Sequence, residues 1–145
     1  MDYVSTRNKA DRVTAAYAIA NGIAPDGGLY CPTGFPALAG EDWEALAGMD
    51  YKGRAACILG KFLTDFSAEE LADYAAKAYA DEKFGGADTA PVVALGGGRN
   101  MLELWHGPTC AFKDMALQCL PRFFSASAAQ LREQGKLDHD FLILV

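Results

Sequence analysis

The apolar pattern of this chain changes character once, across residues 84–91, and that change limits what it can fold into. Before it, apolar residues recur at helical spacing. After it, short unbroken runs of the kind that form strands appear, at 92–95, 101–104 and 141–145, on either side of one further helical stretch. The segment between, Phe84-Gly85-Gly86-Ala87-Asp88-Thr89-Ala90-Pro91, is glycine-rich and has no period, so it reads as a linker between two differently built parts, 1–83 and 92–145.

In the front part, residues 1–7 read as a short extended segment, and a helix is predicted over 12–20, closed by Gly22. Pro25-Asp26-Gly27-Gly28 is a turn by composition, and Leu29-Tyr30-Cys31 is a short strand that Pro32 ends. Further helices are predicted over 41–46 and 51–66, the second carrying Ala55, Ile58, Leu59, Phe62 and Leu63 at helical spacing. Ser67 and Glu70 form a capping box, which opens a helix to about residue 83 with Leu71, Tyr74, Ala75, Ala78 and Tyr79 as its apolar stripe. Residues 1–83 are expected to form a mostly helical unit.

In the back part, the runs 92–95 and 101–104 flank Gly96-Gly97-Gly98 and read as a hairpin. A helix is predicted over 114–134 with Leu117, Leu120, Phe124 and Leu131 inward. Pro121 conflicts with an unbroken helix, since an interior proline costs about 3 kcal/mol, so a kink or an end near Cys119 is expected. Phe141-Leu142-Ile143-Leu144-Val145 is a continuous apolar run typical of a parallel strand buried on both faces. Such a strand needs neighbours. The fold class is therefore α/β: a mostly helical front unit, then the start of an α/β domain with a parallel sheet, with the rest of that domain expected downstream of Val145.

Composition narrows the function. A net charge of −6 argues against a nucleic-acid partner. No apolar run approaches the roughly 20 residues needed to span a bilayer, and no secretory signal opens the chain. Cys31, Cys57, Cys110 and Cys119 lie far apart without a Cys-x-x-Cys pair, which suggests neither zinc nor redox exchange. A soluble cytoplasmic protein with no metal and no membrane partner is the expectation.

The residues that carry chemistry gather in His106-Gly107-Pro108-Thr109-Cys110-Ala111-Phe112-Lys113-Asp114. One lysine, flanked by an apolar ring and an acid, stands where a tight loop meets a helix. Only a neutral amine attacks an aldehyde, and a positive potential at a helix N-terminus favours that form and a cofactor anion alike. Asp114 is suited to cap the helix. Taken alone, an exposed lysine beside a cap is the plainer reading. His106, before Gly107-Pro108, is placed to orient a phosphate, move a proton or simply hold the loop. Thr109 offers a hydroxyl and an amide to an anion or to its own loop. Ser5-Thr6-Arg7 sets two hydroxyls and a guanidinium in succession, enough to grip a phosphate, or a strand with a surface arginine. Gly96-Gly97-Gly98-Arg99 lacks the phosphate-loop pattern, and His139 is assigned no role.

Three segments together resemble the front end of the threonine synthases, fold-type II enzymes that use pyridoxal 5'-phosphate (PLP). They are Tyr3-Val4-Ser5-Thr6-Arg7, the turn from Ala24 to Tyr30, and Leu102-Glu103-Leu104-Trp105-His106 continuing to Asp114. Order and spacing match as well; the lysine motif is specific, and the other two are weak alone. The resemblance implies that Lys113 is the Schiff-base lysine, flanked by Phe112 and Asp114 as cofactor-binding neighbours; Ser5, Thr6, Arg7, His106 and Thr109 stand as the candidate substrate-binding residues by their own chemistry. It implies the conversion of O-phospho-L-homoserine and water to L-threonine and phosphate. The chain departs from the family pattern at Asn8, where glycine is usual, at Cys110, where leucine is common, and at Met115, where an aromatic is frequent; none of these removes a reacting group.

The resemblance also places the family's cofactor-phosphate loop, and the group facing the pyridine nitrogen, downstream of the lysine motif. Residues 1–145 alone are thus expected to be inactive. Two other readings stand beside it. A threonine-synthase-like phospho-lyase would share PLP and Lys113 but release a 2-oxo acid, and a non-catalytic module would bind a partner.

Overall fold

The computed structural model describes residues 1–143. The first strand, β1 (Tyr3–Ser5), pairs antiparallel with β2 (Tyr30–Pro32), so that Tyr3 faces Pro32 and Ser5 faces Tyr30. Between them lies α1 (Ala15–Asn21), which begins at a double cap. Thr14 accepts the Tyr17 amide at 3.2 Å, and the Asp65 carboxylate accepts the Ala16 amide at 2.7 Å. Gly22, at φ 66°, closes the helix as its composition suggests. Alanines 15, 16, 18 and 20 are buried, and these small side chains let a later helix pack close.

Helices α2 (Gly40–Ala47), α3 (Tyr51–Phe62) and α4 (Ala68–Ala78) follow, with α3 and α4 packed together. Both halves of the capping box at Ser67 and Glu70 are formed. The first predicted helix begins three residues late, at Ala15, and two others end early. The one expected over 51–66 stops at Phe62, and the turn that follows turns Asp65 onto α1, where its carboxylate caps that helix. The one expected to reach residue 83 stops at Ala78, and a separate turn, α5 (Asp81–Phe84), follows. Tyr79 and Phe84 are both buried. On a continuous helix they would point about 140° apart, so the break at Ala80 lets one core take both.

The predicted hairpin forms, with its second strand two residues earlier than expected: β3 (Val92–Gly96) and β4 (Arg99–Leu102) pair antiparallel about a glycine turn. Beyond it, the helix expected over 114–134 is two, α6 (Asp114–Leu117) and α7 (Leu120–Glu133), with Pro121 in the first turn of α7, where a missing amide is harmless. The break resets the helical phase. Phe123, Ser127, Ala128 and Leu131 face inward, Phe124 is half-buried, and Leu117 and Leu120 are exposed.

The core joins both parts of the chain. Ala15 and Ala16 of α1, Leu63, Phe66, Leu71, Ala75, Ala78, Tyr79 and Phe84 form one cluster with Cys119 and Phe123. Phe123 stands edge-on to Phe66 at 5.5 Å and to Tyr74 at 5.4 Å. The Tyr79 hydroxyl donates to the Met115 carbonyl at 2.8 Å and accepts from the Cys119 thiol at 3.1 Å. Burial, with that thiol contact, holds the phenol well above its ordinary range.

The molecule is α/β, and among the described residues both sheets are two-stranded and antiparallel. The parallel strand expected over 141–145 is not formed in its described part: Phe141 to Ile143 are irregular, with Leu142 and Ile143 exposed. Residues 144 and 145 of that run lie outside the described residues.

Candidate functional site

The loop from residue 103 to 113 is built from the bottom by one carboxylate. Asp114, the first residue of α6, is 1% exposed. It does not cap its own helix, as the sequence suggests. Its carboxylate turns back under the loop, taking the Thr109 amide at 2.8 Å and the Thr109 hydroxyl at 3.0 Å. Gly107 is the counterpart of that pin: a Cβ there would sit 2.5 Å from the Asp114 Cβ and 2.6 Å from its Oδ2. A turn from the Cys110 amide to the Gly107 carbonyl, at 3.0 Å, completes the loop, with Cys110 held at φ 55°, a left-handed value that side chains other than glycine seldom adopt.

Lys113 occupies the N-cap position of α6 without making a side-chain cap. It is exposed, and its Nζ has no hydrogen-bond or ion-pair partner among the described residues. Phe112 beside it is 65% exposed. A primary amine free of any acid thus stands next to an apolar ring on a loop fixed from within. The helix behind it is only four residues long, so the positive end of a long helix, anticipated from the sequence, is not what conditions this amine.

At the loop's other end, His106 Nε2 lies 2.7 Å from the Glu103 carboxylate, and the Trp105 ring stacks on the imidazole at 4.0 Å. Thr109 spends its amide and its hydroxyl proton on Asp114. Of the options open to each in the sequence, both hold the loop in this structure.

Ser5, Thr6 and Arg7 are brought together with the turn at residues 24–29, the second segment of the sequence resemblance. Ser5 donates to the Asp26 carboxylate at 2.7 Å, Thr6 accepts the Leu29 amide at 3.1 Å, and Arg7 donates to the Asp26 carbonyl at 3.1 Å. The Gly28 amide and the Ser5 hydroxyl hold the Asp26 carboxyl below its ordinary value. Gly28 has no room for a side chain, since a Cβ would lie 2.1 Å from Ser5 Oγ. Ser5 is buried, whereas Thr6 and Arg7 are exposed. No hydrogen bond or ion pair among the described residues joins this cluster to the Lys113 loop.

Sequence reasoning missed the Asp114–Thr109 pin, the close approach at Gly107, the Glu103–His106 pair and the role of Asp26. The last two had a local signal. Glu103 stands three residues before His106, and Asp26 opens an Asp-Gly-Gly turn of the type that bonds its own backbone.

The fold is thus α/β, with a helical front unit that shares its core with the helix after a lysine-bearing loop. The description "Threonine synthase N terminus" matches residues 2–79, and the chain belongs to the threonine synthase family. It is 34% identical over 140 residues to a threonine synthase of Methylobacillus glycogenes, covering 92% of this chain and 30% of that protein. It is 37% identical over 134 residues to threonine synthase-like 1 of Homo sapiens, covering 85% of this chain and 18% of that protein. Among solved structures, a PLP-bound threonine synthase from Brucella melitensis superposes with a TM-score of 0.82 at 35% identity, over 93% of this chain and 28% of that one. The chain therefore spans less than a third of the length of these relatives.

Proposed function

We propose that this chain supplies the cofactor lysine of a threonine synthase, and that a protein of its relatives' length carrying these residues converts O-phospho-L-homoserine and water to L-threonine and phosphate in the cytoplasm. The observation that carries this is the Lys113 loop: an unpaired, exposed amine beside Phe112, on a turn that Asp114 pins from below. That donor set fits an aldehyde-bearing cofactor, which needs a primary amine with no carboxylate holding its charge.

Bound PLP would supply an electron sink for carbanion chemistry on the substrate amino acid. Lys113 is proposed to hold it covalently through Nζ and, once released, to move protons at the α and β carbons of substrate. Phe112 offers an apolar wall. Asp114 positions Lys113 by fixing the loop. His106 is proposed to face substrate from the same loop while Thr109 holds that loop on Asp114, and Thr6 and Arg7 are proposed to meet the substrate phosphate, with Ser5 fixing their turn through Asp26. For Arg7 the support is that Asp26 takes only one of its donors. Residues 1–145 alone are proposed to be inactive.

A phospho-lyase outcome stays beside this reading because threonine synthase-like 1 is as similar to the chain as the synthases are. Product analysis on the longer protein with PLP and O-phospho-L-homoserine separates the two, with Lys113→Ala alongside. L-threonine formed by the parent and lost in the variant is the expected result. A 2-oxo acid in its place identifies the phospho-lyase, and a product that persists in Lys113→Ala removes the lysine from the chemistry.

A further inference from the structure

Away from the Lys113 loop, α4 and the start of α7 border an open cleft of about 730 Å³. Its walls carry three cations, Lys77, Lys83 and Arg122, against one acid, Asp73. In a chain of net charge −6 this is a local reversal of sign. Asp73 is committed to Lys77, 2.6 Å away and one helical turn along. Lys83 spends its donors on neutral oxygens, the Lys77 carbonyl at 3.0 Å and Gln118 Oε1 at 3.2 Å. Arg122 is only partly exposed, and its Nε is shut off from solvent with no acceptor.

An arginine Nε shut off from water without an acceptor is unfavourable, and an anion bound at that guanidinium would offer it one. Gln118, whose oxygen faces Lys83, keeps its amide donors, and Ser125 adds a hydroxyl. Charge and hydrogen-bond donors thus converge on one space from α4, from α5 and from the α6–α7 junction. None of these residues takes part in the proposed threonine synthase chemistry.

We propose that this cleft binds a small phosphate-bearing anion, with Arg122 and Lys83 as its charged contacts and Gln118 and Ser125 as its neutral donors. Phosphate is favoured over a carboxylate because its terminal oxygens can meet donors from several directions at once, and a guanidinium pairs with two of them side by side. The open side of the cleft leaves room for an ester substituent, so inorganic phosphate and a phosphate monoester share the chemistry.

The test is a titration of the protein with inorganic phosphate and, separately, with glycerol 3-phosphate, at ionic strength held constant with chloride. Amide shifts of Gln118 and Ser125 report binding. Saturable shifts are expected in the parent, together with affinity lowered about tenfold by Arg122→Gln, as loss of one partly buried charge contact does. Ser125→Glu, at an exposed helix position that folding tolerates, should weaken binding as much by repulsion, whereas Lys136→Gln should leave it unchanged. Tighter binding of glycerol 3-phosphate would identify a monoester site, and equal or weaker binding a site for free phosphate. Shifts that fail to saturate in the parent, or Arg122→Gln and Ser125→Glu proteins that titrate like it, would overturn the proposal.

Discussion

Gly107 and Asp114 are the residues on which the lysine loop depends, and the dependence is steric as much as electrostatic. Gly107→Ala must push the Asp114 side chain aside, because the new Cβ would come within 2.5 Å of it. That detaches the carboxylate from Thr109, and loss of a buried, charge-assisted pair of hydrogen bonds predicts a destabilisation of about 2–3 kcal/mol in urea unfolding. An unchanged midpoint would mean that the loop does not need the pin. At the other cluster, Asp26 has a carboxyl held below its ordinary value of 3.8 by the Gly28 amide and Ser5. A folded-state value below the unfolded one contributes stability that is full above the ordinary value and fades as pH falls through the lowered one. The advantage of the parent over Asp26→Asn is therefore expected to be constant near neutrality and to shrink below about pH 4, checked by unfolding across pH. Little of this was legible in sequence. A carboxylate at a predicted helix start suits a cap, and only the folded loop reveals that Asp114 faces backwards.

The helical elements were legible where the signal was local. Ser67 with Glu70, Gly22 after α1 and the glycines of the β3–β4 turn each act through neighbours a few residues away, and each stands where the sequence places it. Misreadings came where tertiary contacts decide. Asp65 leaves the end of α3 to cap α1, Tyr79 and Phe84 break α4 from α5 to reach one core, and the α6–α7 break moves the buried position from Phe124 to Phe123. The last shift gives a clean pair of variants. Phe123→Ala should cost about 3–4 kcal/mol, since it empties a site between the Phe66 and Tyr74 rings. Phe124→Ala, on the half-buried side, should cost under about half of that. Equal losses in thermal or urea unfolding would return the helix to the phase expected from sequence.

For the whole molecule, the main consequence of the fold is that the two parts separated by residues 84–91 share one core. Helix α7 packs on α1, and Cys119 and Phe123 complete the cluster formed by the front helices. A chain ended at residue 91 should lose its sigmoidal urea transition, because the faces of Phe66 and Tyr74 would be bare. A retained cooperative transition would show that the front unit stands alone. Sequence periodicity marks where the pattern changes but carries no information on which faces meet, so this joint core was not visible in it. The candidate site divides in the same way. That a tight turn precedes a helix at Lys113 was legible from Gly107-Pro108 and the residues after it, whereas the link between residues 5–7 and the turn at 24–29 needed the fold. The most direct check on the central claim, that Lys113 is the cofactor's seat, is borohydride trapping in a protein of its relatives' length. The protein is incubated with PLP, reduced and digested, and its peptides are read by mass spectrometry. A pyridoxyl group on the Lys113 peptide, absent from the Lys77 and Lys83 peptides, is the predicted result; label spread evenly over the lysines, or confined to others, would contradict it.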